Sequence, residues 1–157
     1  MTGAEWAQQA FKDDAFAMEQ VGTEILDAKE NYAKLRVHLQ PKHRNAMGQV
    51  QGGVMFTLAD FAFAVASGYA RPVTVSLTAE IKYMSRCKGD ALIATATCLK
   101  DGRRACFFGV EITDERNTKI AYITVTGFRF PPHKAEEFPE GAAENPYKEQ
   151  IYFQKQT

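Results

Sequence analysis

The pattern of apolar and polar residues changes three times along the chain. Residues 4–19 carry apolar side chains near helical spacing, with charged residues on the other side, which predicts an amphipathic helix. Over 23–39 apolar and polar residues alternate, which predicts two short strands joined by a turn at 29–31. The stretch 54–70 is apolar on almost every side and is therefore predicted to be a buried helix.

Four further strands are predicted beyond Pro72, where β-branched and aromatic residues become frequent. They cover 73–84, 91–100, 103–114 and 119–130. Asp101-Gly102 separates two of them and is a strong hairpin signal. This order predicts an α+β fold in which one antiparallel sheet of five to six strands wraps around the apolar helix. Such a sheet has open edges, and dimerisation by sheet extension would cover one of them.

The 157 residues are expected to form a single domain, because this is the length of one ordinary domain and no internal repeat interrupts it. Its core is predicted at about 20–130, preceded by the helix at about 4–19. The tail 131–157 is charged and contains proline.

Composition excludes several functional classes. The 19 basic residues balance 19 acidic ones, which is unlike the basic footprint of a nucleic-acid-binding protein. The apolar stretches are too short to predict a membrane span, and the N-terminus does not resemble a signal peptide. Three cysteines without a CxxC pair predict neither a disulfide framework nor a zinc site. We therefore expect a cytoplasmic protein with no metal and no bound cofactor.

Asp60 is the most informative residue, because it lies inside the apolar run 57–66. A carboxylate in a buried helix is unfavourable unless it is paired, hydrogen-bonded or part of a site. Asp60 could therefore lie on one exposed stripe of the helix, or it could be a pocket carboxylate whose pKa the surroundings adjust.

Gly52-Gly53 comes directly before this helix, where the first N–H groups have no partner within the helix. These N–H groups and the helix dipole could stabilise an oxyanion, although a flexible turn would also explain the glycines. Asn45 and Gln51 could position water or a carbonyl from the same loop, or they could be ordinary turn residues. His43, between two basic residues, is expected to be a solvated surface histidine.

The segment from Asn45 to Asp60 resembles the signature of hot-dog-fold thioesterases of the phenylacetate-pathway, or PaaI-like, branch. That signature is an Asn, a Gly, then His-Gly-Gly, then a helix that reaches Leu-x-Asp. The resemblance extends over about 20–130 and includes Ile81–Met84 and Gly89-Asp90. It implies a hot-dog fold, homodimers or homotetramers, and active sites at the dimer interface. One position departs from the family, because Gln51 stands where the His usually lies, and an amide cannot titrate near pH 7.

The resemblance also implies roles for individual residues. Asp60 would be the nucleophile or general base, and the Gly52 N–H would stabilise the oxyanion. Asn45 would orient the carbonyl or the water, and Ser76 would hold the water. The substrate would be an acyl-CoA, so coenzyme A enters as part of the substrate. Its acyl group would lie near the phenylalanines at positions 56, 61 and 63.

Coenzyme A carries phosphates, for which several cations are candidates. We expect Gly53 to allow a close approach of the backbone. The cationic candidates are Lys82, Arg86, Lys88, Arg103 and Arg104. Each of them could equally be an ordinary solvated charge or a guard of an edge strand.

Acyl-CoA hydrolysis is the function that these features predict, and two alternatives use the same fold. A non-catalytic acyl-CoA-binding or sensing module is favoured by Gln51. A dehydratase would need an Asp or a His–Asp pair placed for proton abstraction, and no histidine of the sequence is well placed for that. Against a pure binding module stands Asp60, since a carboxylate beside an anionic cofactor is unfavourable without a chemical role.

Overall fold

The computed structural model describes residues 1–69, 71 and 73–130. Two α-helices and six strands make up most of these residues. The helices are α1 (Gly3–Ala10) and α2 (Gly52–Gly68), and the strands are β1 (Thr23–Lys29), β2 (Tyr32–His38), β3 (Thr74–Tyr83), β4 (Ala91–Asp101), β5 (Ala105–Asp114) and β6 (Lys119–Arg129). A short π-helix (Phe16–Gln20) precedes β1, and a 3-10 turn (Pro41–His43) follows β2. The tail 131–157 lies outside the described residues.

The six strands form one antiparallel sheet in the order β1-β2-β4-β5-β6-β3. Helix α2 lies across one face and contacts every strand of this sheet. The α+β architecture predicted from the sequence, a sheet wrapped around one apolar helix, is therefore confirmed.

The burial of α2 follows from its composition. Ten of its 17 residues are buried, and Asp60 is the one charged residue that the helix contains. The inward side chains of β4, β5 and β6 alternate with outward ones, as a sheet with one covered face requires. Within the described residues, no helix has both the length and the hydropathy needed to cross a membrane.

Strand β3 is an edge strand, although it directly follows α2 in the chain. The connection through α2 carries the chain from β2 across the sheet to its far side, where β3 pairs with β6 and with no other described strand. A β-bulge interrupts this pairing between Ser76 and Thr78. Most of β3 is exposed, including Leu77 at 61%.

The helix predicted at 4–19 is wrong in extent. Helix α1 ends at Ala10, and the π-helix starts separately at Phe16. A turn separates the two helices, and at the start of the second Asp14 Oδ1 accepts a hydrogen bond from the Ala17 N–H at 3.0 Å. Whether the core and tail form one domain remains a prediction.

Candidate active site

Asp60 is the middle residue of α2, on the side that faces the π-helix and the edge strand. Its neighbours Ala59 and Phe61 are buried, whereas Asp60 itself is half-buried. The helix is long enough that Asp60 lies about 12 Å along the axis from Gly52, at 1.5 Å per residue. The carboxylate therefore lies well away from the start of its own helix.

The pKa of Asp60 is raised above its ordinary value. Burial is the main cause, and the negative charge of Asp14 acts in the same direction. A hydrogen bond with the Ser76 side chain lowers the pKa and offsets part of this effect. A carboxylate with a raised pKa is a stronger base once it is ionised, which suits proton transfer.

A cavity of about 260 Å³ opens beside Asp60. Its walls come from α2 and from the segment around the π-helix. The lining residues are Asp14, Phe16, Ala17, Phe56, Thr57, Asp60, Phe61 and Ala64. Of the three phenylalanines expected to lie near the acyl group, Phe56 and Phe61 line this cavity. Phe63 does not line the cavity, because it is buried in the core with its ring 5.3 Å from that of Phe108.

Ser76 reaches Asp60 because of its place on β3. It pairs with Gly127 of β6 directly before the bulge. Bulges bend a strand locally and redirect side chains, and they are frequent beside active sites. The structure thus brings together two of the predicted catalytic residues, Asp60 and Ser76.

The start of α2 presents free backbone donors. Gly52 and Gly53 donate to no acceptor in the described part of the chain, whereas the Val54 N–H bonds the carbonyl of Gln51 at 3.0 Å. The Tyr83 hydroxyl donates to the Gly52 carbonyl at 3.2 Å. A Cβ on Gly52 would lie 2.9 Å from that hydroxyl oxygen, so an alanine here would require the end of the Tyr83 side chain, which is 56% exposed, to shift.

Asn45 organises the loop that precedes α2. Its Oδ1 accepts hydrogen bonds from the Met47 N–H at 2.9 Å and the Gln49 N–H at 3.1 Å. Since both donors face Oδ1, the orientation of the amide is fixed and Nδ2 is the atom that remains to donate. Asn45 can therefore donate to a substrate oxygen, but Oδ1 is already used.

His43 is not the solvated histidine that the sequence suggested. It is 3% exposed, and its Nδ1 accepts from the Gln40 N–H at 3.0 Å. Burial, followed by the charge of Lys42, lowers the pKa of His43. The His43 carbonyl accepts from the Gln51 N–H at 2.8 Å, so His43 supports the loop. The Gln51 side chain is exposed at the start of α2.

The candidate cations for coenzyme A fall into two groups. Lys82, Arg86 and Lys88 are exposed near the end of β3. Arg103 and Arg104 are exposed in the β4–β5 connection, next to the start of β3. Along β3 the groups are roughly 25 Å apart, at about 3.3 Å per residue. One chain therefore does not bring the five together.

Asp14 and Tyr83 are site residues that the sequence reasoning missed. Asp14 was assigned to the polar side of a helix, and Tyr83 was noted only within a motif. A signal for Asp14 existed, because aspartate is one of the residue types preferred at the N-cap that starts a helical segment. No local pattern relates Tyr83 to Gly52, which is 31 residues away.

The family model described as "Thioesterase superfamily" matches residues 47–121, which include Gly52, Asp60 and Ser76. The chain is also 32% identical over 127 residues to a protein of Archaeoglobus fulgidus named "Putative esterase", covering 78% of this chain and 82% of that one. The chain belongs to the thioesterase superfamily. Enzymes of this superfamily are thioester hydrolases.

Two further comparisons concern proteins of the same superfamily. Acyl-coenzyme A thioesterase PaaI of Escherichia coli is 27% identical over 116 residues, which cover 73% of this chain and 82% of PaaI. The solved structure of the E. coli PaaI protein superposes with a TM-score of 0.74 at 24% identity, over 82% of this chain and 96% of that one. This superposition confirms the hot-dog fold.

A protein of Streptococcus pneumoniae described as a hypothetical thioesterase, and solved with coenzyme A, is also similar. It superposes with a TM-score of 0.71 at 25% identity, over 77% of this chain and 97% of that chain. The resemblance to PaaI-like thioesterases predicted from the sequence is thus confirmed.

Proposed function

We propose that this thioesterase hydrolyses an acyl-CoA to a carboxylic acid and free coenzyme A, with Asp60 as its catalytic carboxylate. The observation that carries the proposal is the position of Asp60, the sole charge of an apolar helix, on the wall of a cavity lined by phenylalanines. The similar proteins named as acyl-CoA thioesterases, and the one solved with coenzyme A, support the substrate class.

Asp60 can act by either of two routes. As a general base it takes a proton from water, which attacks the thioester carbonyl and expels the thiolate of coenzyme A. As a nucleophile it attacks the carbonyl itself, and water then hydrolyses the mixed anhydride. Ser76 hydrogen-bonds to Asp60 and would orient that water in both routes. No cofactor is required by either route.

The oxyanion that forms in either route needs hydrogen-bond donors within about 3 Å. We propose the Gly52 N–H as such a donor, with the Asn45 Nδ2 helping to orient the carbonyl. Gly52 and Asp60 of one chain are about 12 Å apart along α2. At that separation the two groups of one chain would not reach the same carbonyl, and we propose that they come from different subunits.

A homodimer through β3 would supply this arrangement. Val75 and Leu77 leave apolar surface exposed on this edge strand. Two β3 strands that pair antiparallel about a two-fold axis place the Tyr83 end of one copy beside the Ser76 end of the other. Because Tyr83 contacts Gly52 and Ser76 contacts Asp60, each site then combines Gly52 from one subunit with Asp60 from the other. A homotetramer built from such dimers remains a prediction.

The same pairing would bring the cations for coenzyme A together. Lys82 and Arg86 at the end of β3 in one subunit would approach Arg103 and Arg104 at the start of β3 in the other. Gly53, whose Cα has open space on its side-chain side, would leave room for the substrate. A cytoplasmic location remains part of the proposal, and the three cysteines are free thiols, as a reducing compartment would keep them.

The proposal is tested by measuring hydrolysis of a panel of short, medium and aromatic acyl-CoAs, with the release of free thiol as the readout. We expect activity in the native protein and a loss of a hundredfold or more in Asp60→Asn, as for removal of a general base. Asp27→Asn, an exposed carboxylate on β1, is the matched control and should keep full activity. Equal rates in Asp60→Asn and native protein would contradict the assignment.

A non-catalytic acyl-CoA-binding module is the second candidate function, favoured by Gln51 in place of the usual His. Tight acyl-CoA binding without thiol release from any member of the panel would support this alternative.

A further inference from the structure

The wall of the cavity opposite α2 is built by the N-terminal segment. Asp14, Phe16 and Ala17 line it, and Phe16 is 63% exposed. Among the eight described residues that line the cavity, Asp14 and Asp60 are the charged ones, and none is Lys, Arg or His. The cavity therefore combines an apolar, aromatic surface with two negative charges.

The N-terminal segment holds Asp14 in a fixed position. Phe11 is buried, and its ring meets that of Phe61 edge-on at 5.5 Å. The ring of Trp6 meets that of Tyr69 in the same way at 4.6 Å, so α1 is anchored near the end of α2. The Ala17 N–H bonds Asp14 Oδ1 at 3.0 Å. These contacts place the Asp14 charge at the cavity, where it can discriminate between acyl groups by their charge.

We propose that Asp14 determines acyl specificity by excluding acyl groups that end in a carboxylate, so that the enzyme selects small uncharged acyl groups. This inference rests on the proposed acyl-CoA hydrolysis and on the same cavity. A terminal carboxylate would be a third negative charge beside exposed Asp14 and half-buried Asp60, and the described residues that line the cavity include no compensating cation. The volume of about 260 Å³ lies just below the range usual for small-molecule pockets, which limits the size of the acyl group.

Valeryl-CoA and glutaryl-CoA give the sharpest test, because both acyl groups have five carbons and only glutaryl ends in a carboxylate. We expect kcat/KM of the native enzyme to be at least about tenfold higher for valeryl-CoA. In Asp14→Asn the preference should fall by about tenfold, mainly through a higher kcat/KM for glutaryl-CoA. The asparagine keeps Oδ1 as an acceptor for Ala17, so the segment should stay folded.

Asp13→Asn is the matched control, since Asp13 is an exposed neighbour outside the cavity lining. It removes the same charge from the same segment and should leave the preference unchanged. A general effect of net charge on binding of the anionic coenzyme A would change both variants equally, and this result would overturn the inference.

The outcomes separate this inference from the proposed function. Hydrolysis of valeryl-CoA that depends on Asp60, with an equal rate on glutaryl-CoA, would overturn the role of Asp14 and leave the proposed function intact. An unchanged preference in Asp14→Asn would do the same. Absence of thiol release from all acyl-CoAs in the native protein would overturn both.

Discussion

The hydroxyl of Tyr83 donates a hydrogen bond to the carbonyl of Gly52, with 3.2 Å between the two oxygens. This contact joins the end of the edge strand β3 to the first residue of α2. The strand proposed as the dimer interface therefore also positions the proposed oxyanion donor. In the proposed dimer, the pairing of β3 and the position of Gly52 would be coupled through this contact.

Alanine at Gly52 should disturb this contact, and alanine at Gly53 should not. A Cβ would lie 2.9 Å from the Tyr83 hydroxyl at position 52, but would meet nothing within 4 Å at position 53. Both changes raise helix propensity, so we expect Gly53→Ala to raise the melting temperature. We expect Gly52→Ala to raise it less, because the Tyr83 side chain has to shift. We also expect kcat/KM of Gly52→Ala to fall about tenfold or more, because the donor moves.

Removing the Tyr83 hydroxyl should relieve part of that defect. The double variant Gly52→Ala/Tyr83→Phe should recover kcat/KM relative to Gly52→Ala, measured beside Tyr83→Phe alone. Simple additivity of the two losses would show that the contact does not act on the donor.

The acid limb of the pH–rate profile should respond in opposite directions to two changes near Asp60. The ionised carboxylate is required, so kcat/KM falls as the pH drops through the pKa of Asp60. Asp14→Asn removes a charge that raises this pKa, and its midpoint should move to lower pH. Ser76→Ala removes a hydrogen bond that lowers this pKa, and its midpoint should move to higher pH. Shifts in the same direction would contradict the assignment of this limb to Asp60.

Asp60→Asn should stabilise the protein at neutral pH. A raised pKa means that the folded state holds the proton more tightly than the unfolded chain, mainly because of burial. The stability that Asp60 contributes is present in full below the pKa that it has in the unfolded chain. It is lost as the pH rises through the higher pKa that Asp60 has in the folded protein. We expect thermal unfolding of Asp60→Asn at pH 7 to occur a few degrees above native, with a smaller gain near pH 4. A gain of equal size at both pH values would argue against this electrostatic cause.

Asn45 should separate loop structure from catalysis. Asn45→Asp keeps the acceptor for the Met47 and Gln49 N–H groups but loses the donor, so stability should change little while kcat/KM falls at least about tenfold. Asn45→Ala loses both the acceptor and the donor, and it should also reduce the free energy of unfolding by about 1 kcal/mol. Urea unfolding and acyl-CoA kinetics measure the two effects. Full activity in Asn45→Asp would place the amide outside the site.

His43 should make the protein less stable below neutral pH. Its lowered pKa, caused mainly by burial, means that its contribution to stability is present above the unfolded pKa and is lost as the pH falls below about 6.5. We expect His43→Asn, which retains an acceptor for Gln40, to show a smaller loss of stability between pH 7.5 and 5.5. His38→Asn changes an exposed histidine and is the control. Equal pH dependence in His43→Asn and native protein would contradict this role.

Much of the fold could be predicted because its signals are local. The apolar run of α2 and the alternation of the strands record how each segment is buried, and Asp60 was evident as a charge within that run. The positions of all six strands follow from such patterns to within about two residues at most ends. The break after Ala10 was missed because the apolar spacing continues through the turn at 11–13.

The sequence by itself determined that an apolar helix would be wrapped by an antiparallel sheet, since burial of these segments has few solutions. Only the tertiary structure decided which strand lies at the edge. The crossover through α2 could have returned beside β2, and local periodicity does not encode the choice. That choice brings Ser76 to Asp60, Tyr83 to Gly52 and the N-terminal segment to the cavity. These contacts join residues distant in sequence, and their energies depend on packing that exists only after the chain has folded.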